Sequence, residues 1–308
     1  MPGQNQRPGL HRLPPGDGIS GERHRVSALV NAGWRSYAAL PDSTVTGTLL
    51  QWDGVGDADH APRPLLAWLP PSYGVDPQRR YPVVYFHDGQ NVFDAATSFS
   101  GEWGADEVLT ELAREGVEAI AVGLPNGGER RFHEYSPVPP PQDARGGFPP
   151  GGGGAGAYVR FLARTVKPLV DTTLRTRPAP EFTHVVGSSM GGVVSLHALL
   201  TCPDVFGHAG LLSPAFWTGG DFALRQAAAS PLPAGRVWLD VGGRESDDPA
   251  RAEAYRQDTE RLAEHWRARG MGERLHFLHD PQAIHHESAW RARLPSVLRF
   301  LLSGTVTS

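Results

Sequence analysis

The chain has little of several things that mark particular classes of protein. Cys202 is the only cysteine in 308 residues, so neither an intramolecular disulfide nor a cluster of thiolate metal ligands can form. Lys167 is the only lysine, and 29 Lys and Arg against 33 Asp and Glu leave a net charge of −4. A nucleic-acid footprint needs a basic surplus, which is missing. No apolar run approaches the roughly 18 residues of a membrane span. The opening Met1-Pro2-Gly3-Gln4-Asn5 has no apolar stretch of the kind that directs secretion. The expectation is a soluble, cytoplasmic protein without a nucleic-acid partner or membrane span, although a secreted form trimmed of its leader would read the same way.

Glycine and proline are abundant, at 37 and 28 residues, and unevenly spread. Nine fall within residues 1–21, a stretch without hydrophobic periodicity, which predicts a flexible arm over residues 1–25. Thirteen fall within residues 137–156, from Pro137 to Gly156. A loop of that length inside a compact domain is disordered or functional, and this one is expected beside an active-site mouth. Residues 26–303 then form a single domain, a size that one core can still support, with a short tail at 304–308.

Between these stretches short β-branched runs alternate with helical patterns. Leu65–Leu69, Val83–Phe86, Ala119–Val122, His184–Val186, Ala209–Leu212, Val237–Val241 and Leu275–Leu278 read as strands, and several are apolar at every position. That pattern marks strands buried on both faces, as in a parallel sheet. Asp106–Arg114, Tyr158–Leu174, Gly192–Leu200, Pro249–Arg269 and Glu287–Leu302 read as helices. Thr46–Trp52 adds an antiparallel strand. The alternation predicts an α/β fold, a mostly parallel sheet with helices on both faces.

One strand runs His184-Val185-Val186 into Gly187-Ser188-Ser189-Met190-Gly191 and then into a helix. Alone, G-x-S-x-G is weak, with about 0.25 chance matches expected in a chain this rich in glycine. Its place between a buried strand and a helix gives it meaning. The turn is tight enough to require small flanking residues, and it presents a serine at a helix N-terminus, where developing negative charge is favoured. Ser189 occupies the nucleophile position, and Ser188 the variable one.

With this turn, three further stretches carry a resemblance: Tyr81-Pro82-Val83-Val84-Tyr85-Phe86-His87-Asp88-Gly89-Gln90-Asn91-Val92-Phe93-Asp94, Gly123-Leu124-Pro125-Asn126-Gly127-Gly128-Glu129-Arg130-Arg131, and Leu212-Ser213-Pro214-Ala215-Phe216-Trp217. Over about residues 45–303 the chain resembles the esterase branch of the α/β-hydrolases that includes enterochelin, feruloyl and acetylxylan esterases, S-formylglutathione hydrolases and mycolyltransferases. The resemblance implies an α/β-hydrolase fold and a serine carboxylic-ester hydrolase that needs no metal or organic cofactor and acts on a small-molecule ester.

It also implies roles for particular residues. The backbone N–H groups of Met190 and Gln90 would form the oxyanion hole; the side chains of His87 and Asp88 read more simply as loop-capping groups. Family order is nucleophile, acid, histidine, and the spacing of Glu287 and Trp290 makes His285 the base. His286 stands where the family has asparagine, which leaves it as the rival. The acid falls among Glu245, Asp247 and Asp248, after the strand Val237–Val241, and the family spacing favours Glu245. Adjacent side chains diverge, so a metal held by His285, His286 and Glu287 is disfavoured. Trp103, Glu134, Tyr135 and Trp217 are candidates for lining a substrate pocket, with Phe132 and His133 nearby. Two rival readings stay open: acyl transfer to a sugar or alcohol, and a non-catalytic binding module on the same scaffold.

Overall fold

The structure, a computed structural model, describes residues 33–141 and 151–303. The expected arm at 1–25, the tail at 304–308 and residues 142–150 of the Pro/Gly-rich stretch lie outside the described residues. Among the described residues nine strands form one sheet: β1 (Arg35–Ser36), β2 (Thr48–Val55), β3 (Arg63–Leu69), β4 (Val83–His87), β5 (Ile120–Leu124), β6 (Thr183–Ser188), β7 (His208–Leu212), β8 (Val237–Arg244) and β9 (Leu275–Ile284). Their spatial order is β1-β2-β3-β5-β4-β6-β7-β8-β9. The pairs from β5 through β9 are all parallel, and β1, β2 and β3 join through antiparallel pairings.

Alternation along each strand explains the two cores. Val83, Tyr85, Val122 and Val185 enter one buried cluster, while Val84, Phe86, Ala121 and Val186 enter the other. Each face therefore needs apolar residues, which is why these strands lack a polar alternation. One face is covered by α3 (Ala155–Phe161), α4 (Lys167–Thr173), α5 (Met190–Thr201) and α7 (Pro249–Ala268), the other by α1 (Ala105–Arg114) and α8 (Glu287–Leu302). Two short helices, α2 (Arg131–Tyr135) and α6 (Phe222–Ala229), complete the set.

The expected helix Tyr158–Leu174 is not uniform. A π-helical turn at Leu162–Val166 separates α3 from α4, directly before Pro168, which has no N–H to continue the ladder. β9 runs beyond Leu278 through Pro281 to Ile284. A proline inside a strand is tolerated there because β9 is an edge. The β8–β9 pairing slips between Gly242 and Arg244, where a side chain on Gly243 would meet Pro281 O at 2.5 Å. That bulge bends the end of β8 over the end of β9. The chain leaves β4 toward β5 on one side and reaches β6 on the other. This reversal opens a crevice at the carboxyl ends of β4 and β6, where α/β sheets bind ligands.

Candidate active site

Three non-glycine residues among those described have positive φ: Asp88 at 54°, Ser189 at 55° and Ser213 at 42°. All three stand at the carboxyl ends of neighbouring strands, β4, β6 and β7. Strain confined to one end of a sheet is a mark of a functional site.

Ser189 caps α5, with φ 55° and ψ −122°. Its N–H donates to Leu212 O at 3.0 Å, which pins the turn to β7. A Cβ on Gly187 would lie 2.5 Å from the Gly191 backbone, so the turn closes only with glycine there. The Met190 N–H belongs to the first turn of α5, where no carbonyl of the same helix can receive it. Ser188 is buried, and Ser189 is partly exposed.

His285 follows β9 and its Nε2 lies 2.9 Å from Ser189 Oγ. Its Nδ1 lies 2.6 Å from Glu245 Oε2. Glu245 is buried, and the Gly242 N–H donates to its Oε1. Burial pushes this carboxyl upward, but hydrogen bonds from His285, Ser213 and Gly242 outweigh it and hold the group below the ordinary range. Asp248 instead caps α7, its Oδ1 accepting from Ala250 N at 3.0 Å, with Pro249 as the first helical residue. Asp247 is exposed. His286 caps α8, its Nδ1 accepting from Ser288 N at 3.1 Å. Asparagine is a strong N-cap, so the histidine in its slot does the same structural work.

The loop after β4 turns sharply through Asp88 into a 3₁₀ turn at Gly89–Asn91. Gly89 approaches the Gly123 and Leu124 backbone so closely that a Cβ would sit 2.4 Å from Gly123 C. Asp88 accepts from Arg131 Nε and Nη2 at 2.7 and 2.8 Å and from Asn126 Nδ2 at 2.6 Å. Burial opposes its charge, and Arg131 more than offsets that, so its carboxyl lies below the usual range. His87 is buried against Tyr158, and burial lowers it to about 4, which leaves it neutral. Gln90 is fixed by its own side chain, which accepts from Asn126 N at 3.2 Å, and by Thr97, which donates to its carbonyl at 2.8 Å.

A cleft of about 970 Å³ reaches Ser189 and His285, with Gln90, Asn126, Arg131 and Phe99 among its walls. Trp103, Glu134, Tyr135 and Trp217 do not line it. Glu134 is buried in a two-pronged pair with Arg63, both contacts at 2.8 Å. The Tyr135 hydroxyl accepts from Asp88 N at 3.1 Å and so holds the loop after β4. The two tryptophans act one layer back. Trp103 lies 6.0 Å from Trp290, whose ring meets His285 edge-on at 5.1 Å. Trp217 packs on Tyr255 at 5.8 Å, and Tyr255 packs on His285 at 4.9 Å. Of the stretch 137–156, Val138 and Pro141 lie against Gly219 and Gly220 after β7, and none of its described residues lines the cleft.

The sequence gives Tyr255 no role and shows Glu287 only as a spacing mark for His285. The Tyr255 ring packs on His285 at 4.9 Å, yet in the chain it is one more aromatic on a helix. Glu287 accepts from Ser100 Oγ at 2.5 Å and from Asn91 Nδ2 at 3.4 Å, tying the loop after β4 to the start of α8.

A family model described as "Putative esterase" matches residues 61–301. The chain belongs to this esterase family. It is a carboxylic-ester hydrolase with an α/β-hydrolase fold. An uncharacterized protein of Bacillus subtilis, YbbA, is 25% identical over 76% of this chain and 90% of its own length. A siderophore triacetylfusarinine C esterase of Aspergillus fumigatus is 30% identical over 48% of this chain and 49% of its own length, so that match spans about half of each protein. The solved siderophore hydrolase EstA of Aspergillus nidulans superposes with a TM-score of 0.65 at 21% identity, over 88% of this chain and 99% of that one. Among the described residues no helix is long and apolar enough to cross a membrane, and no cluster of His, Cys, Asp or Glu side chains is arranged to hold a metal ion.

Proposed function

We propose that this esterase works through an acyl-enzyme on Ser189, with His285 as general base and acid and Glu245 as the carboxylate that orients it. The reading is carried by one observation: Oγ, Nε2, Nδ1 and Oε2 fall in a single file of two contacts, 2.9 and 2.6 Å. Ser189 Oγ attacks the acyl carbon while its proton passes to His285 Nε2. Glu245 keeps the other proton on Nδ1 and stabilises the imidazolium. The carbonyl oxygen becomes an oxyanion held by the N–H groups of Gln90 and Met190; such a donor contributes about 10²–10³ in rate. The ester bond breaks, and His285 returns the proton to the departing alcohol. Water, deprotonated by the same nitrogen, then attacks the acyl-enzyme and releases the acid.

The substrate is a small-molecule ester. The siderophore esterase among the relatives, acting on triacetylfusarinine C, makes siderophore esters the first class to assay, beside acetyl, feruloyl and formyl-thioester compounds. The direct test is fluorophosphonate labelling of the wild type and of Ser189→Ala. Labelling of the wild type, lost with turnover in the folded variant, is expected. Full labelling of Ser189→Ala, with loss only in Ser188→Ala, would overturn the assignment. Running each assay with and without an alcohol acceptor separates hydrolysis from acyl transfer.

A further inference from the structure

Phe99 stands on the wall of the cleft that reaches Ser189 and His285, and it takes no part in the steps above. We propose that Phe99 is a specificity-determining residue, its ring forming a plate against which a flat, apolar group of the ester substrate stacks. The proposal rests on the Ser189, His285 and Glu245 reading of the same cleft and adds what that cleft selects.

The first observation is exposure. Phe99 is 91% exposed, whereas Phe93 in the same connection is 1% exposed. Burial of a phenylalanine is a large favourable term, and Phe99 forgoes it, belonging to neither buried cluster. Leu40, Val75 and Ile284 are the other large apolar side chains left exposed among the described residues, and none of them lines this cleft. The cleft wall is otherwise mostly polar. Phe99, Pro125 and Trp290 supply its large apolar side chains, and Trp290 is buried with its ring edge-on to His285. Phe99 therefore offers the broadest apolar face that a ligand in the cleft can reach.

The second observation is anchoring. A ring on a loose loop binds weakly, because ordering the loop offsets the contact. The backbone under Phe99 is tied on both sides. Its own N–H donates to Asn91 Oδ1 at 3.0 Å. Asn91 Nδ2 donates to Glu287 Oε1 at 3.4 Å, and Glu287 Oε2 accepts from Ser100 Oγ at 2.5 Å. These bonds close a loop of contacts through Phe99 and Ser100. On the other side Thr97 Oγ1 donates to Gln90 O at 2.8 Å, and Ser98 Oγ donates to Asp94 O at 2.8 Å. Gln90 is the proposed oxyanion donor, and Glu287 lies two residues after His285. The segment that carries Phe99 is thus registered to both, and the ring keeps a fixed place relative to the reacting carbonyl.

The chemistry of the ring says what it accepts. Phenylalanine has no proton to move and no polar group to offer, so it alters which esters react and not how they react. Its face gives apolar contact and stacks offset or edge-on with another ring, and an aromatic side chain with two torsions loses little freedom in doing so. The flat group belongs to the acyl or to the alcohol part of the ester, and the test separates the two.

The test is kcat/KM of wild type, Phe99→Ala and Phe99→Tyr on three esters, followed by acid release at constant pH. Trifluoroethyl acetate has no ring, trifluoroethyl 3-phenylpropanoate has one on the acyl side, and phenyl acetate has one on the alcohol side. Enzymes are compared on each ester in turn, so intrinsic reactivity cancels. In Phe99→Ala the ratio of ring-bearing to ring-less kcat/KM should fall about 10-fold in at least one arm, and Phe99→Tyr should restore it. The arm that falls identifies the part of the ester that meets the ring. Unchanged ratios in both arms, an equal loss on all three esters, or a ratio that Phe99→Tyr fails to restore would each overturn the proposal. Turnover of trifluoroethyl acetate by Ser189→Ala would sink the underlying reading instead, so the two failures are distinguishable.

Discussion

Replacing Glu245 by glutamine keeps the shape of the side chain and changes only what it can accept. In the wild type one carboxylate oxygen receives the Gly242 N–H and the other receives His285 Nδ1 at 2.6 Å. An amide supplies one oxygen and one NH₂. If the oxygen faces Gly242, the NH₂ faces Nδ1 and selects the tautomer with hydrogen on Nε2, which cannot take the Ser189 proton. If the oxygen faces His285, two donors meet at Gly242. Glu245 is 3% exposed, so water does not relieve either arrangement. The negative charge that stabilises the imidazolium is lost in both. Loss of the corresponding carboxylate in serine proteases lowers kcat by about 10⁴, and a fall of about 10³–10⁴ is expected here. At 1.36 kcal/mol per decade that is about 4–5.5 kcal/mol of transition-state stabilisation. The assay is steady-state hydrolysis of 4-nitrophenyl acetate at pH 7.5, with circular dichroism to show that the variant is folded and Asp247→Asn and Asp248→Asn as controls. Retention of more than a tenth of kcat by Glu245→Gln, with collapse in either control, would refute the reasoning.

Gly187→Ala should abolish activity and lower the melting temperature, because its Cβ would stand 2.5 Å from the Gly191 backbone; a folded, active variant would contradict that. Tyr255→Leu removes the ring that packs on His285 at 4.9 Å while keeping the space filled, so kcat should fall severalfold with KM unchanged, and unaltered kinetics would deny the contact any role. Glu134→Gln should leave the buried Arg63 without its counter-charge and destabilise the fold by about 3–5 kcal/mol in urea unfolding, with KM unchanged in the folded enzyme; a raised KM at full stability would restore Glu134 to the substrate pocket. Burial pushes the Asp240 carboxyl up to about 6 against the opposing pull of Arg293. Its folded pKa exceeds the unfolded value of about 3.9, so the charged form weakens the fold above about pH 6, and that loss is regained as pH falls toward 4. The melting temperature of the wild type relative to Asp240→Asn should therefore rise from pH 7 to pH 4.5, and a constant difference would remove the argument.

The strands were legible because a sheet covered on both faces demands apolar residues at every position, and Val83–Phe86 and Ala119–Val122 supply them. The turn at Ser189 was legible for a steric reason, since only glycine fits at Gly187. The fold and the esterase family followed from those features and the neighbouring motifs. What stayed hidden depends on contacts between distant parts of the chain. Arg63 and Glu134 are 71 residues apart, and nothing local in Glu134-Tyr135 says that both side chains turn inward. Trp103 and Trp217 sit near strand ends, as pocket residues do, yet each backs another aromatic that touches His285. Ser213 reads as a turn residue before proline until Asp240, Trp290 and Arg293 are brought to it. β9 continues past Leu278 through Pro281 to Ile284, where a proline argues against a strand anywhere but at an edge, and the chain does not announce its edges.

That edge bears on how the molecule meets its neighbours. An unpaired strand is a template on which another chain can add a strand of its own, and β9 runs directly into His285. A visitor pairing along Asp280–Ile284 would pull on the residue that spans the Ser189 and Glu245 contacts. Pro281 lacks the N–H that such pairing needs, and the slip in register opposite Gly243 twists the strand end away from a flat partner. The features that spoil the regularity of β9 also insulate the site from strand addition by other molecules.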